Sequence, residues 1–161
     1  MIIDAQLRFS GAIADDASAT VTGQGPLTAT AISTNVIDLR APGSTPAIVD
    51  EAVGEWGLEL LVKTVIAGAA GTSLAITLES DSTADLATSA TVHASSGTIL
   101  TAALTANKVL WRTRLPFGDY KRYLGLRYTI AGAMTGLTVE AFLVSDLDRN
   151  IQYPNNYAIS A

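Results

Sequence analysis

The chain has 161 residues and a mass of 16.7 kDa, which allows one domain with a hydrophobic core and is too little for two. Apolar residues make up 48% and charged residues 16%, which excludes a disordered, self-repelling chain. There is no cysteine, hence no disulfide framework and no thiolate metal site, and a single histidine leaves little for acid–base catalysis. The net charge of −5 is unevenly spread: residues 1–100 hold 11 acids against 3 bases, and residues 101–161 hold 4 acids against 7 bases. Such polarity suits oriented contact with a complementary surface, or two solvated faces.

Residues 1–31 read as an N-terminal arm and flexible loop. Side chains from Gly11 to Ala31 are mostly small, with a break at Gly23-Gln24-Gly25-Pro26, and they bury little area per ordered residue. The opening residues lack the continuous apolar run of a secretory signal, and the uncharged stretch Thr64–Leu78 is too short to span a bilayer. A soluble protein made in a cytoplasm, without membrane contact, is expected.

Residues 32–148 are predicted to form a β-sandwich. Ile32–Leu39 is its first strand, ended by a loop with Pro42 and Pro46. Leu58, Leu60, Val62, Thr64 and Ile66 share one parity, with Glu59 and Lys63 on the other. Beyond Gly68-Ala69-Ala70-Gly71, Leu74, Ile76 and Leu78 share a face, and the two strands are predicted to pair as a hairpin. Ser82 is placed to cap a short helical turn containing Asp85. Ala90–Ala94 reads as a brief strand, and the Ile99, Leu100, Ala103 and Leu104 pattern within Ile99–Leu110 suits a short helix, against which its frequent threonines count. Trp111–Leu115 leads into a turn at Pro116-Phe117-Gly118-Asp119. A second hairpin is predicted from Tyr123–Ile130 and Leu137–Val144, joined through Gly132 and Gly136. Residues 149–161 read as a C-terminal arm. The pattern gives an all-β, antiparallel jelly-roll-like β-sandwich with extended N- and C-terminal arms.

Reactive chemistry is sparse. His93 has no histidine or cysteine companion for a zinc site, and no G-x-S-x-G elbow nominates a serine for it to activate. Glu59 and Glu79, on neighbouring predicted strands, are the one candidate carboxylate pair for a glycan-cleaving enzyme, although both lie on the less apolar parity. Asp146, Asp148 and Asn150 open with calcium-loop spacing, but Ile151 replaces the glycine and Tyr157 the bidentate glutamate. No catalytic residue, metal or cofactor is assigned.

A basic and aromatic run is the richer signal. Lys108, Arg112, Arg114, Lys121, Arg122 and Arg127 are interrupted by a single acid, Asp119, and interleaved with Trp111, Phe117, Tyr120 and Tyr123. Arginine and aromatic side chains bring large area and directed hydrogen bonds to protein interfaces. Three readings fit the run: a protein interface, solvated arginines over strand edges, or a polyanion or glycan surface with Trp111, Tyr120 and Tyr123 as stacking platforms.

Several blocks resemble the capsid cement, or decoration, protein family of short-tailed bacteriophages. They are Asp4-Ala5-Gln6-Leu7-Arg8-Phe9-Ser10, Ser33-Thr34-Asn35-Val36-Ile37-Asp38-Leu39, Leu74–Asp81, Arg122–Tyr128, Val139–Asp146 and Tyr157-Ala158-Ile159, in order along nearly the whole chain. The resemblance implies a jelly-roll sandwich on the outer surface of a virion, made in the bacterial host cytoplasm, which self-associates as a dimer or trimer and clamps neighbouring major capsid protein subunits without direct nucleic-acid contact. The departures, around Asp15–Thr28 and Pro42–Pro46, fall where lattice contacts would differ between relatives. Expected interface residues are Arg8 and Phe9 in the first arm, Tyr153 and Tyr157 in the last, and Arg112, Arg114, Tyr120, Lys121 and Arg122 in the basic run. A carbohydrate-binding sandwich module is the alternative.

Overall fold

The structure, a computed structural model, describes residues 7–11, 23–39 and 58–145. Among them run eleven strands: β1 (Arg8–Ser10), β2 (Ala31–Ile32), β3 (Ile37–Asp38), β4 (Leu58–Ile66), β5 (Ala69–Ala70), β6 (Ser73–Asp81), β7 (Thr91–Leu100), β8 (Val109–Arg114), β9 (Tyr123–Ala131), β10 (Met134–Thr135) and β11 (Thr138–Ser145). One sheet has the order β1-β11-β4-β8. The other has the order β2-β9-β6-β7, with β3 also on β9, and every pairing is antiparallel. No helix among the described residues is long and apolar enough to cross a membrane.

Alternation does the sorting. Leu58, Leu60, Val62 and Thr64 of β4 turn inward, as do Leu74, Ile76 and Leu78 of β6, and all are buried. Leu124, Leu126 and Tyr128 of β9 join Val139, Ala141 and Leu143 of β11 in the same core, so the two sheets pack face to face as a β-sandwich. Ile66, assigned to the buried parity, lies beyond the covered part of β4 and is 55% exposed.

Both predicted hairpins are corrected. β4 pairs with β11 and β8, while β6 pairs with β9 and β7, so the Gly68–Gly71 turn carries the chain from one sheet to the other. The turn between β9 and β11 does the same. Apolar alternation fixes which face a strand buries, but strands on opposite sides of one core show the same alternation. The two crossovers touch through β5 and β10 (Met134↔Ala70, Thr135↔Ala69) and through a 2.8 Å bond from the Thr72 amide to the Ala131 carbonyl. Gly132 sits there at φ +78°, where a Cβ would meet the Thr72 nitrogen at 3.0 Å.

The real hairpin is β6–β7. Its connection holds no helix: Asp81, not Ser82, organises it. The Asp81 carboxylate accepts the amides of Ser82 (2.6 Å), Thr88 (3.0 Å) and Ser89 (3.0 Å). Ile99–Leu110 likewise shortens to one 3-10 turn, Thr101–Ala103, after β7. The Thr64 hydroxyl accepts the Lys108 amide at 2.9 Å and the Thr64 amide donates to the Lys108 carbonyl at 2.8 Å, taking groups a helix would need. Ile32–Leu39 divides into β2 and β3 because the chain between them turns aside, the Asn35 amide reaching the Phe9 carbonyl at 2.8 Å.

Parts of the expected N-terminal arm belong to the sheets. β1 lies on β11, Gln24 bridges Val139, and Leu27 is 5% exposed. Gln24 then ties three segments: its Oε1 accepts Ser10 Oγ (2.7 Å) and the Thr34 amide (2.9 Å), and its Nε2 donates to the Ile32 carbonyl (2.7 Å). Since Ser10 donates to Gln24, Tyr128 donates its hydroxyl to Ser10 across the core, at 2.6 Å. Burial raises the Tyr128 pKa far above its ordinary 10.0, so the phenol stays protonated. Ser10→Ala strands a buried donor and is expected to cost about 1–3 kcal/mol, whereas Tyr128→Phe strands only an acceptor and costs less. Urea unfolding of both variants and of the double variant checks this; the double variant should be more stable than the sum of the singles implies.

Candidate functional site

Strand β8 forms the end of its sheet among the described residues. Its register on β4 sets Arg114 opposite Glu59, Thr113 opposite Leu60 and Arg112 opposite Leu61. Leu60 points into the core, so Arg112 and Arg114 emerge together on the outer face, where Glu59 also emerges. Arg112 grips Glu59 Oε2 with Nε at 2.8 Å and Nη2 at 2.6 Å; Arg114 Nε reaches Oε1 at 3.6 Å. Two guanidinium groups thus share one carboxylate. Their side chains are 44% and 73% exposed, and with Glu59 and Thr113 they line an open hollow of about 450 Å³.

Most of the rest of the basic run is dispersed and engaged within the chain. Tyr120 stacks on His93 with ring centroids 4.1 Å apart and donates its hydroxyl to the Pro116 carbonyl. Lys121 binds the Ser89 carbonyl and hydroxyl through Nζ. Arg122 forks onto Asp38, with Nη2 at 2.8 Å, and covers the Tyr123 ring at 4.9 Å. Arg127 pairs with Glu79 at 2.9 Å and donates to the Leu86 carbonyl. The run therefore supplies no single basic patch among the described residues. It distributes over both sheets, and only at β8 do two exposed arginines converge on one acid.

Arg8 and Phe9, expected to reach a neighbour, sit in β1 with exposures of 4% and 0%. Phe9 enters the central core, and Arg8 lies beside Glu140, which also holds Lys63 at 2.8 Å. Burial in this chain's own sandwich removes both side chains from an exposed contact surface. Tyr153 and Tyr157 lie outside the described residues, as do Pro42, Pro46 and the Asp146–Asn150 spacing. Trp111 packs against the core, Tyr120 against the core and His93, and Tyr123 beneath Arg122, so the three rings form no shared stacking face. Glu59 and Glu79 stand on different sheets, each held by arginine, and Glu79 is buried where a solvated residue was expected. The described residues contain no group of three or more histidine, cysteine or acidic side chains able to hold a metal ion.

His93 does find a serine. Ser80 Oγ lies 2.7 Å from His93 Nε2, within hydrogen-bond distance, and accepts the Lys121 amide at 3.0 Å. Ser80 is fully buried, and the pair pins β6, β7 and the segment before β9 together. The sequence carried no signal for this contact or for Glu59 beside Arg112, which are 13 and 53 residues apart. Asp81 was readable, since an aspartate followed by serine and turn residues commonly accepts nearby amides.

Asp81 and His93 each make stability pH-dependent. The Ser89 amide, with further bonds from Ser82, holds the Asp81 pKa far below its ordinary 3.8, so this stabilisation is present above pH 3.8 and drains away as pH falls further. Burial and then the Lys121 charge lower the His93 pKa below 6.5. The unfolded chain therefore binds more protons at this site, and stability falls as pH drops through 6.5 toward the folded value. Replacing His93→Gln should flatten the dependence of the unfolding midpoint between about pH 7 and 5 relative to the parent chain. Parallel slopes would show that His93 does not contribute.

A family model described as Bbp16 matches residues 20–143. No curated protein matches the chain.

Proposed function

The chain belongs to the Bbp16 family, and we propose that it is a structural cement protein of a phage head, bound to the outer capsid surface and bridging neighbouring major capsid protein subunits. The observation that carries this reading is the β8 edge, where Arg112 and Arg114 stand exposed on one face around a single carboxylate. A cationic, hydrogen-bond-rich strand edge suits docking onto an acidic protein surface. Two further supports stand beside it. The ordered sequence blocks resemble cement proteins, and we read the order β1-β11-β4-β8 over β2/β3-β9-β6-β7 as a jelly roll.

Work of this kind needs contact area and repetition, not a reactive group. A contact of roughly 800 Å² per partner is modest alone. Repeated over a lattice, and joined through a homodimer or homotrimer, it becomes tight through effective concentration. Tyr153 and Tyr157 are retained as proposed arm contacts. A carbohydrate-binding module is the alternative reading, with less support because its three aromatic rings each have partners within the chain.

Purified protein should cosediment with heads stripped of their decoration. Arg112→Ala/Arg114→Ala should lower occupancy about tenfold at moderate salt, as expected for two partly exposed ion pairs. Retention on a glycan array with no uptake by heads would overturn the cement reading. Unchanged occupancy of the double variant would remove β8 from the contact.

A further inference from the structure

We propose that β8 takes an extended acidic segment of the partner protein as an added strand, with two carboxylates spaced two residues apart set against Arg112 and Arg114. This deepens the reading of β8 as the docking edge and rests on it. Three features point to strand addition. Among the described residues β8 pairs only with β4, leaving its other row of amides and carbonyls unpaired by strand. Its register on β4 is regular from Trp111 to Arg114, the shift lying at the Val109 end. The two arginines project from one face two positions apart, beside an open hollow lined by Glu59, Arg112, Thr113 and Arg114.

Geometry then selects the occupant. An added strand lies about 4.8 Å away, and its alternate side chains repeat at the same interval as those of β8. Two acids at that spacing therefore face both arginines, whereas adjacent acids point to opposite faces of the sheet. Backbone pairing supplies affinity and the carboxylates supply register and choice. A second copy of β8 is disfavoured, because it would set arginines against arginines at short range. The β7 edge of the other sheet is a poorer platform. β7 is interrupted at Ser96-Gly97, where Ser96 Oγ takes the Ile76 amide and Gly97 has φ +68°. Such a bulge turns an edge away from further pairing.

The test uses the full chain and fluorescein-labelled ten-residue peptides of alternating threonine and valine. One carries aspartates two residues apart, a second carries the same aspartates adjacent, and a third carries lysines. Fluorescence anisotropy should show the first binding roughly fivefold tighter than the second, with no binding of the third. Arg112→Ala/Arg114→Ala should weaken the first peptide roughly tenfold, with an unchanged thermal midpoint showing that the variant is folded. Amide hydrogen exchange should slow within Trp111–Arg114 when the first peptide is bound. Equal affinity for both aspartate spacings, or no slowing in β8, overturns strand addition even if the protein still sediments with heads. Failure of head binding alongside preferential peptide binding overturns the cement reading and leaves strand addition standing.

Discussion

One shared core, buried from both sides, governs the architecture. Each long inner strand has to hide one parity of its side chains, and β4 and β6, or β9 and β11, do so by facing each other from opposite sheets. The sharp crossovers between these partners become possible where glycine and alanine let backbones touch, as at Gly132 beside Gly71 and Thr72. The buried Tyr128–Ser10–Gln24 chain adds directed bonds to a core otherwise held by non-directional burial. It fixes β1 and the segment after Gly23 in place, which is why these residues belong to the sandwich.

The same packing decides where charge remains available. Glu79, Asp38 and Glu140 lie close enough to basic side chains for Arg127, Arg122, Arg8 and Lys63 to find partners within the chain. At β8 two arginines share Glu59, and both remain substantially exposed. Among the described residues, this strand edge carries two exposed arginines around a single acid. Backbone groups can pair there while the guanidinium forks discriminate carboxylates.

Much of the fold was legible because alternation is a local property. Leu74, Ile76 and Leu78 had to share a face whatever surrounded them, and so did Leu124, Leu126 and Tyr128. Pairing was not legible, since the turn after Ile66 has the composition of a hairpin and performs a sheet-to-sheet crossover. The site was legible in part. Arg112 and Arg114 were singled out from density of charge and aromatic rings, but that density also drew in Tyr120, Lys121 and Arg122, whose partners come from distant segments. Arg8 and Phe9 were read as an arm because three residues hold too little periodicity to announce a strand.

The sequence by itself determined an all-β chain, the inward faces of its longest strands, and a basic segment with no cluster of reactive groups around it. These follow from side-chain period and residue type, which act over a few neighbours. Tertiary structure alone decided which strands pair, that Ser80 meets His93, and that β8 ends its sheet among the described residues with two arginines dividing one glutamate. Each of those depends on contacts between residues far apart in the chain, and such contacts form only when two whole sheets bury a common core.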